Sequence, residues 1–151
     1  MSTSSRFAVA VHVLTLMAWA GDEPLKSEQI ACSVNTNAVV IRRLLCQLAK
    51  AGLVASQTGA AGGSRLARPA SEITLREVYR AVEGRDIFAL HRQPPNKRCT
   101  VGAEIGGVLE CVQAAVDEAV NQSLARITLQ EVVRSVKSCT GGGKARLRTR
   151  G

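Results

Sequence analysis

Residues 27 to 68 carry two short helical patterns parted by Asn35-Thr36-Asn37 and followed by a glycine-punctuated hairpin. Few folds accommodate that order. Ser27 reads as the N-cap of a first helix ending at Ser33, because a serine oxygen can accept from an orphan amide at a helix start. The Asn and Thr side chains then compete for backbone hydrogen bonds and break the periodicity. A second helix is expected from about Ala38 to Ala51, with Val40, Leu44, Leu45 and Leu48 as its apolar stripe and Ile41 on the flank. Gly52 fits the C′ position that stops it. Two helices joined by so short a turn make a helix-turn-helix. Beyond it, Leu53 to Thr58 reads as a strand, residues 59 to 63 as a flexible tip, and Ser64 to Arg68 as the returning strand, ended by Pro69. The expected fold class is mainly α with a small β-wing: a winged helix-turn-helix.

Charge turns this fold into a function. Between Glu28 and Glu72 there is no acidic residue, whereas Arg42, Arg43, Lys50, Arg65 and Arg68 all lie in that stretch. Duplex DNA is densely negative, so a surface that meets it gains from cations and is penalised for carboxylates. The second helix is expected in the major groove, its N-terminal end toward the bases. Thr36, Asn37, Val39 and Arg42 or Arg43 are placed to read or brace there. Double-stranded DNA is the expected partner. A protein–protein adaptor on the same fold is the alternative, but an adaptor has no reason to clear carboxylates from this face.

The net charge of +8 is localised, since this segment and the tail cations Lys144, Arg146, Arg148 and Arg150 account for it. Phe7, Trp19, Tyr79 and Phe88 are the only aromatics, too few for a stacking platform on single strands. The five cysteines lack the spacing of a secreted scaffold, so reduced thiols in a cytoplasm are expected. Phe7 to Ala20 loosely mimics a secretory signal. It is too short to span a bilayer, and the fold needs a first helix, with Leu14 and Met17 packing on Ile30, Leu44 and Leu48. No membrane association is expected. An enzyme would need a nucleophile–base pair, a metal set or a phosphate loop. Two histidines, His12 and His91, and a glycine loop without a following Lys-Ser supply none, so no catalysis is expected.

The chain then divides. Residues 1–84 are expected to form the DNA-binding domain, with Thr74 capping a helix from Leu75 to Val82 whose Arg76, Glu77 and Arg80 face water. Residues 85–100 read as a linker, broken at Pro94-Pro95 and anchored by Phe88 and Leu90. Residues 101–137 are expected to be dimerisation helices: Val101, Ile105, Val108, Val112, Ala115, Ala119 and Gln122 step by heptad spacing, with Leu109, Val116 and Val120 beside them. Ile105, Val108, Leu109, Val112 and Val116 form the expected seam of a homodimer, since winged helices commonly read two half-sites. A last short helix from Leu129 to Val136, capped by Thr128, precedes a basic, disordered tail over 138–151.

VNTNAVVIRRLL, KAGLV, a Gly-Gly wing followed by RLARP, EITLREVYRAVEG and ALHRQPPNKRCTVG, in that order, resemble the Rrf-two family of bacterial winged-helix transcription regulators over about residues 2 to 137. The resemblance implies a homodimer, usually a repressor on a palindromic operator. It also implies that the helix from Asn37 is the recognition helix and that Gly62, Gly63, Ser64 and Arg65 form a wing tip entering the minor groove. Ser64 stands where the family commonly has an aromatic residue. Several members sense iron–sulfur status, nitric oxide or cysteine supply, and cluster-binding members carry three evenly spaced cysteines. Here Cys99 and Cys111 flank Ile105, which cannot ligate iron. No cofactor and no metal are therefore expected, and the effector is unassigned. A thiol switch at Cys99, beside the cations Lys97 and Arg98, is the alternative, with Cys111 as its companion. Cys32 and Cys46 are expected as small core residues and Cys139 as incidental.

Overall fold

A computed structural model describes residues 4–84 and 86–142. Helix α1 (Arg6–Ala20) buries Ala10, Val13, Leu14 and Met17, the i, i+3, i+4, i+7 face of an otherwise apolar helix. That face joins Ile30, Ile41, Leu44, Leu48, Leu53, Ile73 and Val78 in one core, as expected for a buried first helix. Helix α2 (Ser27–Val34) starts one residue away from the expected cap. Lys26 is the extended N-cap residue, its amide donating to Gln29 Oε1 at 2.8 Å, and Ser27 is already helical. Helix α3 (Ala38–Lys50) buries Ile41, Leu44, Leu45 and Leu48, whereas Val40 is 49% exposed. The expected stripe was thus rotated by one residue: Ile41, not Val40, lies seven positions before Leu48 on the face that meets α1.

The wing is an antiparallel pair, β1 (Val54–Gln57) and β2 (Gly63–Leu66), with Val54 opposite Leu66 and Ser56 opposite Ser64. Leu25 adds an isolated bridge to Ser64, exchanging two backbone hydrogen bonds of 2.9 and 2.8 Å. This fixes the loop before α2 to the wing. A 3-10 turn (Ala70–Glu72) leads to α4 (Leu75–Val82), whose Leu75, Val78 and Val82 are buried. Arg76 and Glu77, expected in water, are half-buried; only Arg80 of that set is exposed.

Helix α5 (Thr100–Ala125) has no buried residue. The preceding segment is pinned to it where the Phe88 carbonyl accepts from Gln113 Nε2 at 2.6 Å. Helix α6 (Leu129–Thr140) then returns to the start of α4: the Leu75 amide donates to the Ile127 carbonyl at 2.9 Å and the Leu129 amide to Ile73 at 2.8 Å. Each helix opens with a reciprocal cap, Thr74 with Glu77 and Thr128 with Glu131, which satisfies orphan amides on both sides of the junction. Leu129 and Val133 are buried, and α6 packs on α1 and the 3-10 turn. The two helices expected within 101–137 thus pack on different parts of the first domain, α5 on α4 and α6 on α1 and the 3-10 turn. Helix α5 lies against α4 with no residue fully buried, and α6 contributes Leu129 and Val133 to the buried set. Residues 138–140, expected in the tail, finish α6, while the tail cations lie outside the described residues. No helix among the described residues is long and apolar enough to cross a membrane.

Candidate nucleic-acid interface

The turn between α2 and α3 is built by two asparagines. Asn35 takes the left-handed conformation (φ 61°) that short polar side chains tolerate and ends α2. Asn37 caps α3, its Oδ1 accepting from the Val39 amide at 2.7 Å. The cap occupies that oxygen, so only the Asn37 Nδ2 is left for a base edge. With Ile41, Leu44 and Leu48 inward, helical periodicity turns Val39, Val40, Arg43, Gln47 and Lys50 to solvent; these and Thr36, in the turn before the helix, are all exposed. Sequence reasoning singled out Thr36, Val39 and Arg43 on this face but missed Val40 and Gln47; the 3.6-residue period taken from Ile41 would have found both.

The expected cations are not equivalent. Arg42 forms an ion pair with Glu28 across the two helices. The backbone amide at the start of α2 and then the Arg42 guanidinium hold the Glu28 carboxyl below its ordinary value. Arg68 turns away from the wing, donating to Glu77 at 2.8 Å and to the Glu72 carbonyl at 3.3 Å. Burial pushes the Glu77 carboxyl up, but the Thr74 amide and Arg68 outweigh it and hold the group below its ordinary value. These are the ion pairs among the described residues. Arg43, Lys50 and Arg65 are exposed with no carboxylate partner among them. Arg6, at the start of α1, converges with Arg43 and Lys50 on one groove that also contains Ser5 and Gln47. Nothing local in the sequence marks Arg6; only the packing of α1 on α3 brings it there.

The wing departs from expectation at two positions. Strand alternation points Ser64 inward, where it is 6% exposed and its Oγ lies 3.1 Å from Ser56 Oγ, so it braces the wing rather than presenting a side chain. Gly62 is also buried. Gly63 is required for close approach: a Cβ there would lie 2.7 Å from the Leu25 carbonyl oxygen. Arg65, one residue on, faces solvent.

A second exposed feature lies on α5. Val101, Val108 and Val112 are 68, 57 and 45% exposed, whereas Ile105, Leu109 and Val116 are half-buried. The expected seam thus splits, one side turned to its own chain and the other left open.

The family profile described as Rrf2, an iron-dependent transcriptional regulator, matches residues 3–135. The chain belongs to the Rrf2 family. A candidate HTH-type transcriptional regulator of Bacillus subtilis strain 168, YwnA, is 43% identical over 131 residues, covering 86% of this chain and 96% of its own. The crystal structure of a candidate DNA-binding protein shares 39% identity, with a TM-score of 0.69, over 85% of this chain and 98% of that one. IscR from T. potens has the same fold, with a TM-score of 0.69 at 23% identity over 100% of this chain and 94% of that one. The winged helix-turn-helix of this Rrf2 chain is therefore that of a DNA-binding transcriptional regulator, a family of regulators and not of enzymes.

The family description raises the question of iron. No group of three or more His, Cys, Asp or Glu side chains among them is placed to hold a metal ion. Cys99 is the N-cap residue of α5 and Cys111 lies twelve residues on, about 18 Å along a helix that rises 1.5 Å per residue. That separation also excludes a disulfide between them within one chain. Both are exposed, as are Cys32, Cys46 and Cys139. The expectation of Cys32 and Cys46 in the core is overturned: Cys32 follows the buried pair Ile30-Ala31, and Cys46 follows Leu45, each rotated off the inward face.

Proposed function

We propose that this Rrf2 regulator is a homodimeric repressor that reads a palindromic operator, with α3 in the major groove and the wing at the flanking minor groove. One observation carries the reading: the outward face of α3 and the wing is cationic and free of unpaired carboxylate over its whole extent. Thr36, the Asn37 Nδ2, Arg43 and Gln47 supply hydrogen-bonding groups for base edges. Val39 and Val40, 47 and 49% exposed on a helix that does not need them for its core, suit thymine methyl groups. Arg6, Lys50 and Arg65 neutralise phosphates, and Arg42 joins them when DNA competes for it with Glu28. Gly62, Gly63 and Ser64 act as wing scaffold, bringing the backbone and Arg65 to the minor groove. The open side of α5, with Val108 and Val112 at its centre, is the surface of a second copy. A single chain leaves those valines 57 and 45% exposed, so covering the remainder is worth about half of the roughly 1.5–3 kcal/mol of a complete burial.

Sedimentation of the protein alone and with a selected duplex tests this reading. Two chains in free solution and two chains per duplex are expected. A single chain binding at full affinity would overturn the dimeric part.

A further inference from the structure

From residue 27 to 68 every large apolar side chain is buried or half-buried except two, Val39 and Val40, at 47 and 49% exposed. Neither serves the fold. The core face of α3 is complete with Ile41, Leu44, Leu45 and Leu48. A β-branched residue is also a poorer helix former than the Lys, Gln or Ala that a solvated face would take. At about 100° per residue, the arc from Val39 to Val40 holds Arg43, Gln47 and Lys50 as well. Val40 lines one groove with Arg6, Arg43, Gln47 and Lys50, and none of the described carboxylates lines it. Valines set among cations suit a partner that is anionic along its edges and apolar at a point between them. Duplex DNA is such a partner, because its major groove carries thymine methyl groups between two rows of phosphates.

We infer that Val39 and Val40 together read the C5-methyl groups of two neighbouring pyrimidines, and that this apolar contact fixes those positions of the operator. A valine side chain has no donor or acceptor. Against guanine, adenine or cytosine it strips water from a polar edge and returns nothing, whereas covering the thymine methyl is favourable. Both valines lie in the first turn of α3, the end that meets base edges in a helix-turn-helix. One residue apart, they advance about 1.5 Å along the helix, against about 3.4 Å per base step, so their targets are neighbours. A valine rotamer is nearly fixed within a helix, so little freedom is lost on contact. 5-Methylcytosine presents the same methyl group at the same place. Cytosine methylation within the operator is therefore a signal that this face registers. Such readout rests on α3 lying in the major groove, as proposed above.

The test takes the full chain and a duplex selected from a random pool, and replaces each thymine in turn with deoxyuridine, which lacks only the methyl. Fluorescence anisotropy should show a loss of about fourfold at each of two neighbouring thymines per half-site, as expected for one buried methyl. In Val39→Ala and in Val40→Ala, one of those two losses should shrink while the other persists. Alanine favours the helix, so both variants keep the fold. Cytosine and then 5-methylcytosine at the sensitive positions separate the methyl contact from base identity. The methylated duplex should bind wild type about fourfold more tightly than the unmethylated one, and the matching valine variant should bind the two nearly alike. Uracil tolerated throughout, a loss unchanged in both valine variants, or 5-methylcytosine no better than cytosine would overturn the assignment while leaving DNA binding intact. A pool that yields no preferred sequence would overturn the DNA reading and the methyl contact together.

Discussion

Arg43 and Arg68 carry the same charge inside the same acid-free stretch, yet the structure gives them opposite roles, and replacing each with alanine separates them. Arg43 is exposed on the outward face of α3 with no carboxylate partner among the described residues. If it sits on a phosphate, its loss removes one released counterion, lowering the slope of log K against log salt by about 0.9. Over a fourfold rise in salt the wild-type advantage then shrinks by about 3.5-fold, from the same slope. If it sits on a base edge, the slope holds, and the cost is roughly 1–3 kcal/mol at one base pair. Arg68 is already bound to Glu77 at 2.8 Å, with 35 and 37% of the two side chains exposed. Solvent screening limits that pair to about 1 kcal/mol or less of stability. Arg68→Ala should therefore lower the unfolding midpoint slightly and leave the salt slope unchanged. Anisotropy titrations at four salt concentrations, beside urea melts, read both quantities. Wild-type affinity and slope in Arg43→Ala, or a larger DNA defect in Arg68→Ala, would refute the assignment of the face.

Val108→Asp should reduce the mass in solution to one chain and weaken operator binding with it, because an unpaired charge would be buried in the proposed α5 interface. Leu129→Ala, at a position 0% exposed, should cost roughly 2–5 kcal/mol in urea unfolding if α6 closes the first domain as described. A loss under about 1 kcal/mol would instead place α6 outside that core. The Glu77 carboxyl lies below its ordinary value of 4.5 in the folded chain. Its contribution is thus full above that pH and lost as pH falls through the folded value; acid melts of Glu77→Gln should show a shallower decline below about pH 4.5.

Much of this architecture is legible locally. Asn37 as a cap, Gly52 at the end of α3 (φ +74°) and Thr74 at the start of α4 all follow from single-residue backbone chemistry. Where sequence reasoning failed, the deciding contact is distant in the chain. Val40 and Ile41 are equally apolar, and only the packing of α1, α2 and α4 around α3 chooses between them. The pairing of Arg42 with Glu28 depends on how α2 lies across α3. The convergence of Arg6 on Arg43, and the return of α6 beside α4, join residues too far apart in sequence for any period to register. Ser64 is the exception: strand alternation with the exposed Arg65 turns it inward, and that period is local.

The central claim is that two copies of α3 read two half-sites of one duplex through the major groove. Selection of bound sequences from a random DNA pool, followed by methylation interference at guanine N7 on the enriched site, tests it most directly. The account predicts an inverted repeat whose half-site centres lie about one helical turn apart, with interference confined to major-groove guanines of each half. An enriched single half-site without symmetry, or a site indifferent to major-groove methylation, would contradict it.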